Sequence, residues 1–571
     1  MKKITIYLTI LVSFALINCS MNDDSSNITV PVTDQQFSEN FGSLVSRDFL
    51  GLIVDTDNQP MAGAEVRIGN SFVVTDINGV FSLNGAQVFE RFAYIRATKQ
   101  GYIDGTRALI PTSGKNIVKI MMLPMNIIAT VNSGAPSEVS LPNGATVIFD
   151  GEFITESGTA YSGPVSVVMH HLDPADPEMA AKMPGMLYAQ TSSGNESMLL
   201  TYGMINVKML GSNGEKLQIA NSAEIEMPVS ADQPNAPAMI PLWHFDETTG
   251  YWKEDGSAMR MGNKYVGTVS HFSWWNVDVP YSMIQLTITL HNTNGDPIVG
   301  TLVRLSMGEN SGQAAGYTNS NGQNSGFVPI NQAFTLTVQT PCGPVSYPVG
   351  PFSADTNLPT IVIENSVTNT LEGELLNCDG EAVTNGYMII GGSTYILHPV
   401  TDGTFNIPYF LCPETANITV RGFDIGSLSG TDVSTIEVTE GINQLGTFTS
   451  NCGGSSGTSL EGAYHLVVTN LTTGAVRIFP DIEYVNSTGS GYQTTTTGTF
   501  LPGQLNADTQ GYYLYQSDAT TLNIPAQQLA GLYSNVVEGS GNIIDENTFT
   551  TLYEISFAAG NQNYQANYIR M

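Results

Sequence analysis

From Phe49 onward, apolar and polar residues alternate in short runs broken by Asn, Asp, Gly and Pro, the period of half-buried strands. Leu50 to Val54, Ala64 to Ile68 and Val80 to Leu83 are such runs, separated by Asn58-Gln59-Pro60 and Asp76-Ile77-Asn78-Gly79. Asn-Gly supplies the positive φ angles of a type I′ turn, so Val73 to Gly79 with Val80 to Leu83 is expected to form a hairpin. The same two turns recur at Asn294-Gly295-Asp296-Pro297 and Thr318 to Gly322, and again at Asp379-Gly380 and Thr401-Asp402-Gly403. A spacing of about 80 residues fits independent modules in series, each long enough for a seven-strand sandwich.

Between the first and second copies lies a different segment that holds all four tryptophans. Alternation on both sides of Thr248-Thr249-Gly250 predicts a hairpin, and Trp274-Trp275 puts one indole on each face of a strand. Gly453 to Gly457 has linker composition, and residues 459–571 alternate again, with Pro525 to Tyr533 the one stretch suited to a short helical turn. At the other end, Lys2 and Lys3 precede an apolar run, Ile4 to Ile17, of about 14 residues, too short to span a bilayer as a helix and suited to a removable signal.

The expected fold class is therefore all-β, with serial β-sandwich domains in an extended multidomain arrangement. The expected boundaries are a signal segment at 1–19, a flexible tether at 20–46 and a first sandwich at 47–124. A Trp-rich β domain follows at 125–281, then sandwiches at 282–366 and 367–453 and a C-terminal β domain at 454–571.

Leu16-Ile17-Asn18-Cys19 resembles the lipobox of bacterial lipoproteins, with Asn18 where that family usually has Gly, Ala or Ser. The resemblance implies a lipidated Cys19 as the mature N-terminus, and Asp23 and Asp24 resemble the surface-export signal of Bacteroidota lipoproteins. Gly51, Asp55, Pro60, Gly63-Ala64, Val66, Thr75-Asp76, Asn78-Gly79 and Phe81, with Lys99 to Tyr102, resemble the carboxypeptidase regulatory-like domain, a transthyretin-type β-sandwich. Pro241 to Trp252, Ser270 to Asp278 and Met183-Pro184-Gly185 resemble a segment of cartilage intermediate layer proteins.

Charge excludes one class of partner. Acidic residues outnumber basic ones 51 to 20, giving a net charge of −31, and nucleic acid is not expected to bind without clustered Lys and Arg. Five cysteines leave four once Cys19 carries lipid, an even number that reads as two disulfides in an exported chain. Cys378 with Cys412 is the favoured pair, leaving Cys342 with Cys452.

Candidate chemistry is sparse. His244 and Glu247 match the H-x-x-E spacing of a zinc site, but alternation sends them to opposite faces. His170-His171 with Asp173 and Asp176 meets the same objection. Asp55 with Asp57, or Asp76 with Asn78, could ligate Ca²⁺ through hard oxygens, although turns demand the same residue types; no other cofactor is expected. Trp243, Trp252, Trp274 and Trp275 are candidate sugar-stacking platforms. The chain is expected to be a non-enzymatic lipoprotein of the outer membrane, anchored by lipid and facing the exterior, that binds an unidentified protein or glycan. The alternative expectation is a carbohydrate-binding accessory of a glycan-uptake system.

Overall fold

The computed structural model describes residues 33–571 except 77, 100, 232, 234, 309–312, 365–367, 392–395, 411–416, 428, 452–459, 461, 473, 475, 479–482, 488–491, 497–508, 517–520, 529–535, 546, 556–560 and 571. The signal segment, Cys19, Asp23, Asp24, Cys412 and Cys452 lie outside the described residues. No helix among the described residues is long and apolar enough to cross a membrane.

Nearly every element is a strand, and the strands fall into several separate sheets. The first sandwich pairs a three-stranded sheet, built on Leu44–Val54, Val80–Phe89 and Lys115–Met121, with a four-stranded one. Between them lies a core of Phe49, Ile53, Val66, Phe81, Ile95 and Ile120. The second and third sandwiches repeat this plan around Met283–His291 and Thr368–Leu376.

The repeat is visible atom by atom in the first turn. Asp55 Oδ1 accepts from the backbone N–H groups of Asp57 and Gln59. Asn292 does the same for Asn294 and Asp296, and Asn377 for Asp379 and Glu381. In the second turn Asp76 Oδ1 accepts from Asn78 and Val80, and Asn319 Oδ1 from Asn321 and Gln323. These oxygens close Asx turns, which is why Asp and Asn recur there.

The expected hairpin at Asn78-Gly79 does not form. Ser71–Val74 pairs with Glu65–Ile68 in one sheet and Val80–Phe89 pairs with Leu44–Val54 in the other, so the turn carries the chain across the sandwich. Gly79 is held there because its carbonyl accepts from Ile53 N–H while its own N–H closes the turn onto Asp76. The Asn-Gly signal encodes the turn geometry and leaves the partner of each arm unspecified.

Within the span expected to be a tether, the residues from 33 onward carry folded structure. Asp34–Ser38 is a helical turn with a capping box between Thr33 and Gln36, followed by a 3₁₀ turn at Glu39–Phe41. Phe37 and Phe41 are buried against Phe92, Tyr188, Tyr251 and Phe327, and the first sandwich begins at Leu44. Two phenylalanines in a polar stretch give no period to read, yet they seat this segment on the folded body.

The Trp-rich domain is one 14-stranded sheet system folded over a large apolar core, and its predicted hairpin pairs Met239–Asp246 with Tyr251–Met261. The C-terminal domain is a closed barrel. Its strands run Gly462–Asn470, Glu483–Ser487, Tyr492–Thr496, Thr509–Gln516, Thr521–Gln528, Val536–Ile543, Thr548–Ile555 and Gln562–Arg570, each antiparallel to the next, and the last returns to the first. Tyr464, Phe549, Tyr553, Tyr564 and Tyr568 fill its core. Pro525 lies within the strand Thr521–Gln528, at an irregularity in its pairing, where a helical turn was expected.

Cys342 is disulfide-bonded, and its sulfur lies 4.0 Å from the Phe410 carbonyl oxygen of the next sandwich. The two pairings expected from the sequence each include a cysteine outside the described residues.

Gly51 shows how tightly the first sandwich is packed: a Cβ there would lie 2.2 Å from the Phe81 ring and 3.0 Å from the Val118 carbonyl oxygen. Gly51→Ala is expected to destabilise that sandwich by about 1–3 kcal/mol. Hydrogen exchange in graded urea measures this, and a double-mutant cycle with Phe81→Leu should show coupling between the two positions.

Candidate functional site

The four tryptophans were the strongest sequence candidates, and all four are buried, with 2% exposure or less. Stacking on a sugar needs an open ring face, so none of Trp243, Trp252, Trp274 and Trp275 is a platform. Their placement follows the predicted alternation: Trp275 points into the main core of the domain, while Trp274 joins Trp243 and Trp252 in a second cluster on the other face. Trp243 Nε1 donates to the Asp278 carbonyl oxygen and Trp275 Nε1 to that of His271.

The metal candidates also separate. His244 lies with its ring 4.7 Å from His271 and 5.6 Å from Trp275, whereas Glu247 pairs with Lys208. Burial and the neighbouring His271 push the His244 pKa down to about 4, so the imidazole is neutral at physiological pH. His170 Nε2 is 2.8 Å from the Pro124 carbonyl oxygen, while His171 Nδ1 accepts from Asn143 on the other side. Among the described residues no three His, Cys, Asp or Glu side chains gather as a metal site. Asp55 Oδ1 and Asp76 Oδ1 close the turns described above, and Asp76 Oδ2 accepts from Tyr387 Oη.

What the fold does bring together is a seam between domains. The first sandwich touches each of the next three domains. On the Trp-rich side, Tyr94 Oη donates to the Glu247 carbonyl oxygen and its ring lies over Gly250, where a Cβ would come within 2.5 Å. Toward the second sandwich, Asn319 Nδ2 donates to Thr112 Oγ1 and Lys115 N–H to Ser320 Oγ. Toward the third, Asn78 Nδ2 donates to Tyr387 Oη, which in turn donates to Asp76 Oδ2, beside a shared apolar patch of Leu50, Val80, Ile389 and Phe423.

Arg107 sits where three domains meet. Its Nη1 donates to the carbonyl oxygens of Ala180 (2.8 Å) and Gly185 (3.3 Å) in the Trp-rich domain, and Nη2 to that of Ala315 (2.9 Å) in the second sandwich. Burial lowers its pKa to about 10, which leaves the guanidinium charged at neutral pH. In sequence Arg107 is one polar position in an alternating strand, Gly105–Leu109, and nothing local marks it.

No family model matches the chain. Human cartilage intermediate layer protein 2 is 32% identical over 130 residues, 22% of this chain and 11% of that protein. The mouse protein of the same name is 26% identical over 229 residues, 37% of this chain and 19% of that protein. The chain thus spans a fifth or less of the length of these relatives. Among solved structures, the shaft pilin SpaA from Lactobacillus rhamnosus GG aligns over 31% of this chain and all of its own, with 11% identity and a TM-score of 0.16. BcpA, the major pilin subunit of Bacillus cereus, aligns over 72% of this chain and 99% of its own, with 10% identity and a TM-score of 0.12.

Asp278, fully buried beside Asn276, gives the Trp-rich domain a pH signature. Desolvation raises its pKa well above the usual carboxylate value, and Asn276 Nδ2 donates to its Oδ2. The folded state therefore holds a proton that the unfolded chain releases near pH 4, so stability falls as pH rises above about 4. Asp278→Asn is expected to flatten this slope and to be at least as stable as the native protein at pH 7.5 in thermal melts. A variant that melts lower at pH 7.5 and keeps the slope would contradict the assignment.

Proposed function

We propose that this protein is a non-enzymatic cell-surface lipoprotein that holds β-sandwich binding surfaces away from a membrane as one stiff body. The observation that carries this reading is the seam: Arg107, Tyr94, Asn319 and Tyr387 join the first sandwich to the next three domains through buried and part-buried polar contacts. Partial similarity to cartilage intermediate layer proteins, named for a layer of a tissue, supports a structural role over a catalytic one.

Lipid on Cys19 would hold one end. Several acyl chains at about 0.8 kcal/mol per buried CH₂ make such an anchor stable. The outer leaflet of an outer membrane is the proposed location, and the partner is a protein or glycan outside the cell. The glycan-uptake alternative loses the residues assigned to it, because all four indoles are buried.

The test is display on a bacterium with an outer membrane, comparing the native chain with Cys19→Ala. The native protein should be cleaved by protease added to intact cells and should increase their retention on a panel of matrix proteins and glycans. Cys19→Ala should abolish both effects. A native chain protected from external protease, or cells retained on no surface of the panel, would overturn the proposal.

A further inference from the structure

The seam holds a half-open cavity of about 230 Å³ between the first sandwich, the Trp-rich domain and the second sandwich. Its walls are mostly apolar and include Leu187, Met198, Leu286, Ile288, Leu305 and Phe327. For scale, a dry engineered cavity of about 150 Å³ accepts benzene, so this one has room for a larger apolar body.

Three cations line the same space: Lys119, whose Nζ donates to Asn58 Oδ1, and the arginines Arg107 and Arg304. Neither arginine is in an ion pair among the described residues. The Arg107 hydrogen bonds go to three neutral carbonyls, which satisfy donors and leave its charge uncompensated. Glu178, the acidic residue of the lining, is turned to other partners: it accepts from Asn58 Nδ2 at 2.9 Å and lies 3.9 Å from Lys182. In a chain with 51 acidic and 20 basic residues, two arginines without a carboxylate partner facing one apolar cavity are a departure from the average surface.

We infer that this cavity binds a small amphipathic anion, a monocarboxylate with an apolar body such as a medium-chain fatty acid. The apolar body would lie against Leu286, Ile288, Leu187 and Phe327, and the carboxylate would meet the guanidinium groups of Arg107 and Arg304. A guanidinium matches a carboxylate in shape and charge, and an apolar pocket with a few convergent polar groups is the usual form of a small-molecule site. The occupant would also tie three domains together, since its walls come from all three.

The test is isothermal titration calorimetry of the full chain with decanoate, decanol and decylamine below their aggregation concentrations. One decanoate should bind per chain, with decanol and decylamine at least tenfold weaker. Ala314→Phe, at a half-buried position of the lining on the second sandwich, narrows the cavity outside the sandwich core and should weaken decanoate at least tenfold while leaving the melting temperature of the unliganded protein near native. Arg107→Met and Arg304→Gln should each reduce the preference for decanoate over decanol. If Arg107→Met fails to fold, Ala314→Phe and Arg304→Gln decide the matter. No decanoate binding, equal affinity for decanol, or unchanged affinity in Ala314→Phe would overturn the inference.

Discussion

A guanidinium held between domains, half-buried and without a counter-ion, is the constraint around which this molecule is arranged. Removing a charge from water is costly, and Arg107 is tolerated because carbonyl oxygens of Ala180, Gly185 and Ala315 receive its N–H groups. Those carbonyls belong to two other domains, so protein groups replace water around the charge only when all three domains are in place. Each charge-assisted hydrogen bond contributes about 1.5–3 kcal/mol. Separating the domains would expose the arginine to water, and what the seam gains over that state comes largely from the apolar and aromatic contacts around it.

Those contacts are continuous with the seam. Phe37 and Phe41 of the segment before the first strand, Phe92 of the first sandwich, Tyr188 and Tyr251 of the Trp-rich domain and Phe327 of the second sandwich form one aromatic cluster. Tyr188 stacks on Phe327 at 5.1 Å, and Phe41 on Phe92 at 4.4 Å. On the opposite sheet of the first sandwich, Leu50 and Val80 pack against Ile389 and Leu397 of the third. The first sandwich therefore presents outer faces to its neighbours where a free module would present them to solvent.

Much of the local structure was legible in the sequence because it obeys local rules. Strand alternation placed Trp274 and Trp275 on opposite faces, Thr248-Thr249-Gly250 closed its hairpin, and the Asx turns at Asp55, Asn292 and Asn377 recur as their spacing implied. What escaped depends on contacts between distant residues. The arms of the Asn78-Gly79 turn belong to different sheets because pairing is decided by partners far along the chain. Arg107 and Tyr387 occupy ordinary alternating positions, and only the approach of a second domain makes one a shared cation and the other a bridge to Asp76. The same reason defeated the sugar-stacking assignment: an indole on the second face of a strand is exposed only if nothing packs there, and Leu123 and Tyr94 of the first sandwich do.

The central claim is that the first four domains behave as one body because of this seam. Differential scanning calorimetry of the native chain and of Arg107→Met tests it most directly, through the ratio of calorimetric to van't Hoff enthalpy. The account predicts one cooperative transition for the four domains in the native chain, splitting into separate, lower transitions in the variant. Native domains that already melt independently, with a profile the substitution leaves unchanged, would contradict it.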